Sequence, residues 1–186
     1  MPKIVDHDKQ RQEMILECFE LFSKKGFSNV TMREIANELN VSTGSLYHYF
    51  PTKNAIFHHM INYIVERDVK RVQKRILGTM SFAEKMITAG KVIEEDISYF
   101  QNLLLLTIDF FRHTENGNKE ETFEFFVNHF IKAISLNLNI DEKMSKIIFS
   151  WMIGLVYCSL VVPKEYSFND QTSYITEILS SHFKLF

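Results

Sequence analysis

Three prolines and six glycines in 186 residues leave few places where the backbone can turn sharply. Between those breaks the apolar residues recur three and four positions apart instead of alternating, which lines them along one side of a helix and not along one face of a strand. The chain is therefore expected to be all-α, with about nine helices. No strand pair, low-complexity stretch or internal repeat interrupts the pattern.

Local signals divide the first third. Met14, Ile15, Cys18, Phe19, Leu21 and Phe22 form the stripe of a first helix over about Asp8 to Lys25, closed by Gly26. A second, short helix opens at TMRE, where Thr31 caps the amide of Glu34, Glu34 reaches back, and Val30 and Ile35 supply a hydrophobic staple. Asn40, which tolerates a left-handed conformation, turns the chain, and Ser42 caps a third helix with Val41 and Leu46 as its staple. Pro51 halts that helix and Thr52 caps a long fourth reaching about Leu77, with Gly78 as a stop. Five more helices follow, over roughly Ser81–Glu94, Ser98–Thr114, Lys119–Leu138, Glu142–Val162 and Asp170–Leu185, separated by EDIS, ENGN, NLNID and PKEYSFN.

Charge narrows the choice of partner. The net of −2 is uneven: residues 1–38 sum to −1, residues 39–77 to +4 and residues 78–186 to −5. An anionic partner is expected to meet the early part of the chain. Cys18 and Cys158 have no ligand-like or disulfide-framework spacing, which fits a reducing cytoplasm. The amino terminus has no apolar core of a signal peptide, and the longest uncharged run, Ile147 to Val162, is shorter than the roughly 20 residues of a membrane span. No metal site or cofactor is expected. His58 and His59 are adjacent and diverge by about 100° on a helix.

The stretch VSTGSLYHYFPTKN, Val41 to Asn54, carries the functional signal. Two short helices joined by a turn of about three residues, with small Ala36 in the first and Leu46 in the second, have the pattern of a helix-turn-helix. If Leu46 points to the core, Tyr49 and Phe50 lie near it, while Gly44, Tyr47 and His48 form the opposite stripe, flanked by Thr43 and Ser45. Glycine lets backbone approach backbone, hydroxyls and helix-start amides can meet phosphate oxygens, and Tyr47 and His48 can touch phosphates or base edges. Lys53 adds a cation, and Leu39 to Val65 contains no acidic residue.

From Lys9 to about Phe57 the chain resembles the DNA-binding module of the tetracycline-repressor (TetR) family. Gly26-Phe27, Thr31, Ile35-Ala36, Val41-Ser42, Gly44, Leu46-Tyr47, Tyr49-Phe50 and Lys53 all fall where that family's pattern has them. The resemblance implies an operator surface of Thr31, Arg33, Ser42, Thr43, Gly44, Ser45, Tyr47, His48 and Lys53, with Tyr49 facing a phosphate or the core. His48 departs from the aromatic that relatives often carry there, so half-site preference is this chain's own.

The resemblance divides the chain into a helix-turn-helix domain over 1–52, a connecting helix over 53–77 and a helical ligand-binding and dimerisation domain over 78–186. Beyond the fourth helix the resemblance covers length and helix order, and the residues carry their own pattern. Phe100, Leu104, Ile108, Phe111, Phe126, Phe130 and Met152 are either core or the lining of a cavity for a largely apolar effector, with His113 and His129 as polar handles. In the eighth helix Ser150, Gly154 and Cys158 make a row of small residues, and the ninth repeats Ile175, Ile178, Leu179 and Phe183. Those faces can pack within one chain. The family implies instead a four-helix homodimer interface, to which we assign Ile147, Trp151, Gly154, Leu155 and Cys158 of the eighth helix with the four residues of the ninth. Two helix-turn-helix modules held about 34 Å apart would then read a near-palindromic duplex operator. The expected protein is a repressor released by a small molecule, without enzymatic or membrane function; the rival reading is a helical carrier or enzyme whose helix-turn-helix does not touch DNA.

Overall fold

The computed structural model describes residues 7–76, 78, 80–114, 118–163 and 167–183. Among these the chain forms α1 (His7–Lys25), α2 (Met32–Glu38), α3 (Thr43–Tyr49), α4 (Lys53–Arg75), α5 (Phe82–Glu95), α6 (Ile97–His113), α7 (Asn118–Leu138), α8 (Glu142–Val161) and α9 (Phe168–Phe183), and no strand. The all-α expectation holds. The expected ends at Leu77 and Leu185 lie outside the described residues.

Each early boundary follows from a local interaction. Gly26 adopts φ 82° and its N–H returns to Phe22 O at 2.8 Å, closing α1. Thr31 Oγ1 accepts from Glu34 N while Glu34 Oε2 accepts from Thr31 N at 2.8 Å, so both halves of the capping box are present. Asn40 sits at φ 53°, and Ser42 Oγ accepts from Ser45 N at 3.0 Å to open α3. Thr52 Oγ1 does the same for Ala55 N at the start of α4. Later boundaries shift by one or two residues, α9 opening at Phe168 instead of Asp170 and α6 at Ile97 instead of Ser98. The EDIS linker is reduced to Asp96 alone, whose N–H stays bonded to Ile93 O and whose carbonyl accepts from Tyr99 N at 2.9 Å. Ser98 therefore lies inside α6, and the Asp96 side chain at the joint pairs with Arg71.

The chain separates into two compact units. The first comprises residues 1–64 with 105–126. Its centre is aromatic: Phe57 stacks on Phe110 with ring centroids 3.8 Å apart and planes 3° off parallel, and Phe27 meets both rings edge-on. Ile35, Leu46, Phe50, Ile56 and Met60 are fully buried there. Cys18 belongs to this core as well. Burial and the nearby Glu17 push its thiol up to about 12, so it stays protonated and unreactive at neutral pH.

The second unit comprises residues 65–104 with 127–186. Phe82, Met86, Leu138, Met144, Ile148 and Leu179 form one apolar cluster; Ile93, Leu155, Val156 and Phe168 form another. Gly90 lets α5 and α9 approach so closely that a Cβ there would stand 2.8 Å from Thr172 Cγ2 and Oγ1. A buried carboxylate, Asp68, accepts from Tyr99 Oη at 2.8 Å and from Arg67 at 3.0 Å. Burial pushes the Asp68 carboxyl up against the opposing pull of Arg67, and burial followed by the Asp68 charge pushes the Tyr99 hydroxyl up.

Helix α8 has the length and apolar composition to cross a bilayer, the one described helix that does. This departs from the expectation drawn from the uncharged run, since the helix gains length from Glu142 to Lys146. Met144, Ser145, Ile148, Leu155, Val156 and Ser159 bury one of its faces in the second unit.

Candidate nucleic-acid interface

The face of α3 divides as a helical wheel requires. Leu46 and Phe50 are fully buried, whereas Gly44, Tyr47 and His48 are exposed, with Ser42 and Thr43 exposed at the start and Ser45 half-buried. Tyr47 is 50% exposed despite its ring. A Cβ on Gly44 would find only Ser42 Oγ, at 3.9 Å, so the surface beside it is open to an incoming backbone. Short-range bonds shape the turn between α2 and α3: Val41 N–H donates to Ala36 O at 3.0 Å, and Asn40 N–H to Asn37 O at 3.2 Å.

Four of the nine polar candidates, Thr31, Ser42, Tyr49 and Lys53, already bond within the chain. Tyr49 is half-buried and its hydroxyl donates to Gln10 Oε1 at 2.9 Å, which ties α3 to α1. Lys53 is drawn inward: its ammonium donates to Phe27 O and Val30 O, both at 2.7 Å, and sits 4.4 Å from the centre of the Phe27 ring. Burial lowers the Lys53 pKa, against the raising influence of Asp109 and Glu34. Thr31 has its hydroxyl on Glu34 Oε2 at 2.8 Å, while Arg33 is exposed on the same short helix.

The +4 count over residues 39–77 is halved to +2 where the fold brings Asp96 and Glu95 against α4. On α4, Arg67 pairs with Asp68, Lys70 with Glu66, Arg71 with Asp96, and Arg75 with Glu95 at 2.6 Å. Two of those carboxylates, Glu95 and Asp96, come from the acidic part of the sequence, so counting by segment separated charges that the fold brings together. What α3 offers a polyanion is an uncharged polar face without acidic neighbours in Leu39 to Val65. Direct readout of that kind rests on hydrogen bonding and close approach more than on net charge.

Behind the reading face Arg11 bridges α1 to α3 and α4. Its guanidinium lies 5.3 Å from the Phe50 ring centre, and Nη2 is 2.7 Å from His59 Nε2. Because arginine only donates, His59 must be neutral and accept at Nε2; burial, then the Arg11 charge, lower its pKa in the same direction.

Residues 18–60 match the family model of bacterial regulatory proteins of the tetR family. Over this segment the chain is similar to regulators of the tetR family. An uncharacterized HTH-type transcriptional regulator of Bacillus subtilis, YuxN, is 35% identical over 65 residues, which cover 34% of this chain and 22% of that protein. The first curated relatives are matched over less than half of their length, two others over 42% and 38%. Among solved structures, Salmonella enterica GusR superposes with a TM-score of 0.76 at 17% identity, covering 98% of this chain and 99% of that one. FadR from Bacillus subtilis, solved in complex with stearoyl-CoA, gives a TM-score of 0.66 at 17% identity, covering 91% and 97%. These likenesses establish a shared fold of an N-terminal helix-turn-helix and a C-terminal helical portion.

The remaining candidates distribute as follows. Phe100, Leu104 and Met152 pack, partly buried, against the Ile93 cluster of the second unit, and Phe130 stacks on Phe149. His129 is half-buried in the same unit. Ile108, Phe111 and Phe126 belong to the first unit, Ile108 and Phe111 as exposed side chains, and His113 is exposed with Nδ1 2.8 Å from Asp109 Oδ1. Hydrophobicity of α6 and α7 alone did not separate these two groups. On α8 and α9, Leu155 and Leu179 are buried in the chain's own core, and Trp151, Cys158 and Ile175 are half-buried. Ile147, Gly154 and Ile178 are exposed; the side chain of Phe183 lies outside the described residues. Tyr157, Val161 and Tyr174, outside the candidates named from the sequence, are all more than half exposed. Tyr157 and Val161 fall on the Ile147–Gly154 stripe at helical spacing, a signal that was available.

Proposed function

We propose that the protein is a homodimeric transcriptional regulator that reads a near-palindromic duplex operator with the exposed face of α3. The carrying observation is the division of α3: Leu46 and Phe50 sealed into the core, Gly44, Tyr47 and His48 outside, in a segment of tetR type. Tyr47, His48, Thr43 and Arg33 make the contacts, Gly44 allows the close approach, and Tyr49 and Lys53 hold the module in shape. A single seven-residue reading helix binds weakly, and two related by a two-fold axis with centres about 34 Å apart bind one face of the duplex.

The dimer forms through α8 and α9. Ile147, Ser150, Gly154, Tyr157 and Val161 fall within one exposed arc of α8, and Tyr174 and Ile178 supply the apolar part of the exposed face of α9. A Cβ on Gly154 meets nothing within 4 Å in its own chain, which favours close approach of a helix from another copy. An isologous contact uses the same stripe twice. Control comes from a small, largely apolar effector bound in the second unit beside Phe100, Leu104 and Met152, and the protein acts as a repressor released when effector binding favours a second conformer that does not fit the operator. The stearoyl-CoA complex of FadR supports a long apolar ligand for this fold.

The test is a mobility shift of the DNA upstream of the protein's own coding sequence at about 50 mM salt, where phosphate contacts are least screened. A specific shift, abolished by a molecule that co-purifies with the protein and is identified by mass spectrometry, is expected. Absence of any sequence-selective shift refutes the reading.

A further inference from the structure

The turn from Gly26 to Val30, which delivers the chain from α1 into α2, is held from two sides by opposite charges. Asp109 of α6 accepts from Ser28 N–H at 3.0 Å through Oδ2 and from the Ser28 hydroxyl at 3.2 Å through Oδ1. Burial pushes its carboxyl up, but the backbone and hydroxyl bonds from Ser28, with His113 and the Phe27 backbone, outweigh that and hold it below the ordinary carboxylate value. Lys53, the first residue of α4, takes the carbonyl ends of the same turn at Phe27 and Val30. The turn's amides thus face a carboxylate and its carbonyls face an ammonium, an arrangement of charge-assisted bonds stronger than neutral ones. Gly26 fits against it closely, with the place of a Cβ 3.3 Å from Asp109 Oδ2.

We propose that Asp109 is a positioning residue for DNA reading: by anchoring the Gly26–Val30 turn it fixes where α2 begins and, through the bonded α2–α3 turn, the bearing of α3. Asp109 stands well outside the family segment of residues 18–60, so the module is completed by a residue that the segment does not contain. The inference rests on the DNA-binding function proposed above. Lys53 and Asp109 act on one turn, and the capping box at Thr31 starts one residue after it.

Charge and position make opposite predictions. Removing a carboxylate near a DNA-reading module strengthens binding to every duplex if charge alone acts. If Asp109 positions the turn, its loss weakens binding to the cognate duplex and leaves binding to a scrambled duplex nearly unchanged.

The experiment uses the full chain as wild type, Asp109→Ala and Asp109→Asn. Asparagine keeps a carbonyl for Ser28 N–H and an amide that can donate to the Ser28 hydroxyl. Circular dichroism checks folding, anisotropy measures binding to the upstream and scrambled duplexes, and hydrogen exchange reads amides 26–38. Asp109→Ala is expected to bind the upstream duplex about tenfold more weakly and to exchange faster at 26–38, with Asp109→Asn recovering most of both. Tighter binding of both variants to both duplexes overturns the proposal, as does unchanged exchange in Asp109→Ala. A wild-type chain that binds no duplex selectively overturns the DNA-binding function itself; the exchange measurement then still decides whether Asp109 holds the turn.

Discussion

Replacing Tyr47 with alanine separates folding from DNA reading at one position. The side chain is 50% exposed, and its neighbour Leu46, fully buried, carries the packing of α3. The folding cost is expected within about 0.5 kcal/mol, as for exposed positions away from caps and core, and the better helix propensity of alanine reduces it further. Binding is another matter. A hydroxyl donating to a phosphate oxygen is a bond to a charged group, worth roughly 1.5–3 kcal/mol. Two half-sites double that to roughly 3–6 kcal/mol, which corresponds to about 10²- to 10⁴-fold in Kd. Because tyrosine is uncharged, the slope of log affinity against log salt should stay as in the wild type, whereas Arg33→Ala should flatten it by about 2, one phosphate in each half-site. Anisotropy of a labelled upstream duplex between about 50 and 200 mM salt measures both quantities. A Tyr47→Ala protein with wild-type helicity and a Kd within about threefold of wild type would remove Tyr47 from the contact surface, since even one such bond per dimer is worth more. A flattened slope would instead mean that the module had shifted on the backbone.

Three further outcomes follow from the geometry. Gly90→Ala gains roughly 0.5–1 kcal/mol of helix propensity but forces a Cβ onto buried Thr172, whose hydroxyl is fixed on Phe168 O at 2.7 Å; overpacking of about 1–3 kcal/mol should prevail and lower the urea midpoint, and an unchanged midpoint would contradict the close α5–α9 crossing. Ile147→Glu places a charge on a side chain 58% exposed in the single chain, so helicity should persist while light scattering reports half the mass; an intact dimer would exclude the α8 stripe as the interface. Asp109 has a folded pKa below its ordinary value, so its contribution to stability is present above the unfolded value of about 3.9 and is lost as pH falls through the folded one. The gap in urea midpoint between wild type and Asp109→Ala should therefore be full at pH 7 and narrow as the solution is acidified below about pH 4; a gap that persists once Asp109 is protonated in the wild type would place the effect in packing rather than charge.

The features readable from the residues in order are those whose partners lie within one helical turn. Thr31 and Glu34, Ser42 and Ser45, Gly26 and Phe22, and Asn40 with its left-handed backbone need no distant residue, and each appears where the pattern placed it. The inward side of α3 follows likewise from the 3.6-residue repeat, once Leu46 is taken as core. Lys53, Asp109 and the basic face of α4 are of another kind. The ammonium of Lys53 goes to carbonyls 23 and 26 positions away, and Asp109 reaches a turn 81 positions before it. Arg71 and Arg75 lose their free charge to Asp96 and Glu95 on a following element. On α8 and α9, Leu155 and Leu179 looked no different from Ile147 and Ile178 in composition, yet the first pair is buried and the second exposed. Local caps and the helical period depend on backbone geometry that every residue carries with it. Which side of a helix is covered, and which charge is neutralised, depends on segments that become neighbours only when the chain has packed.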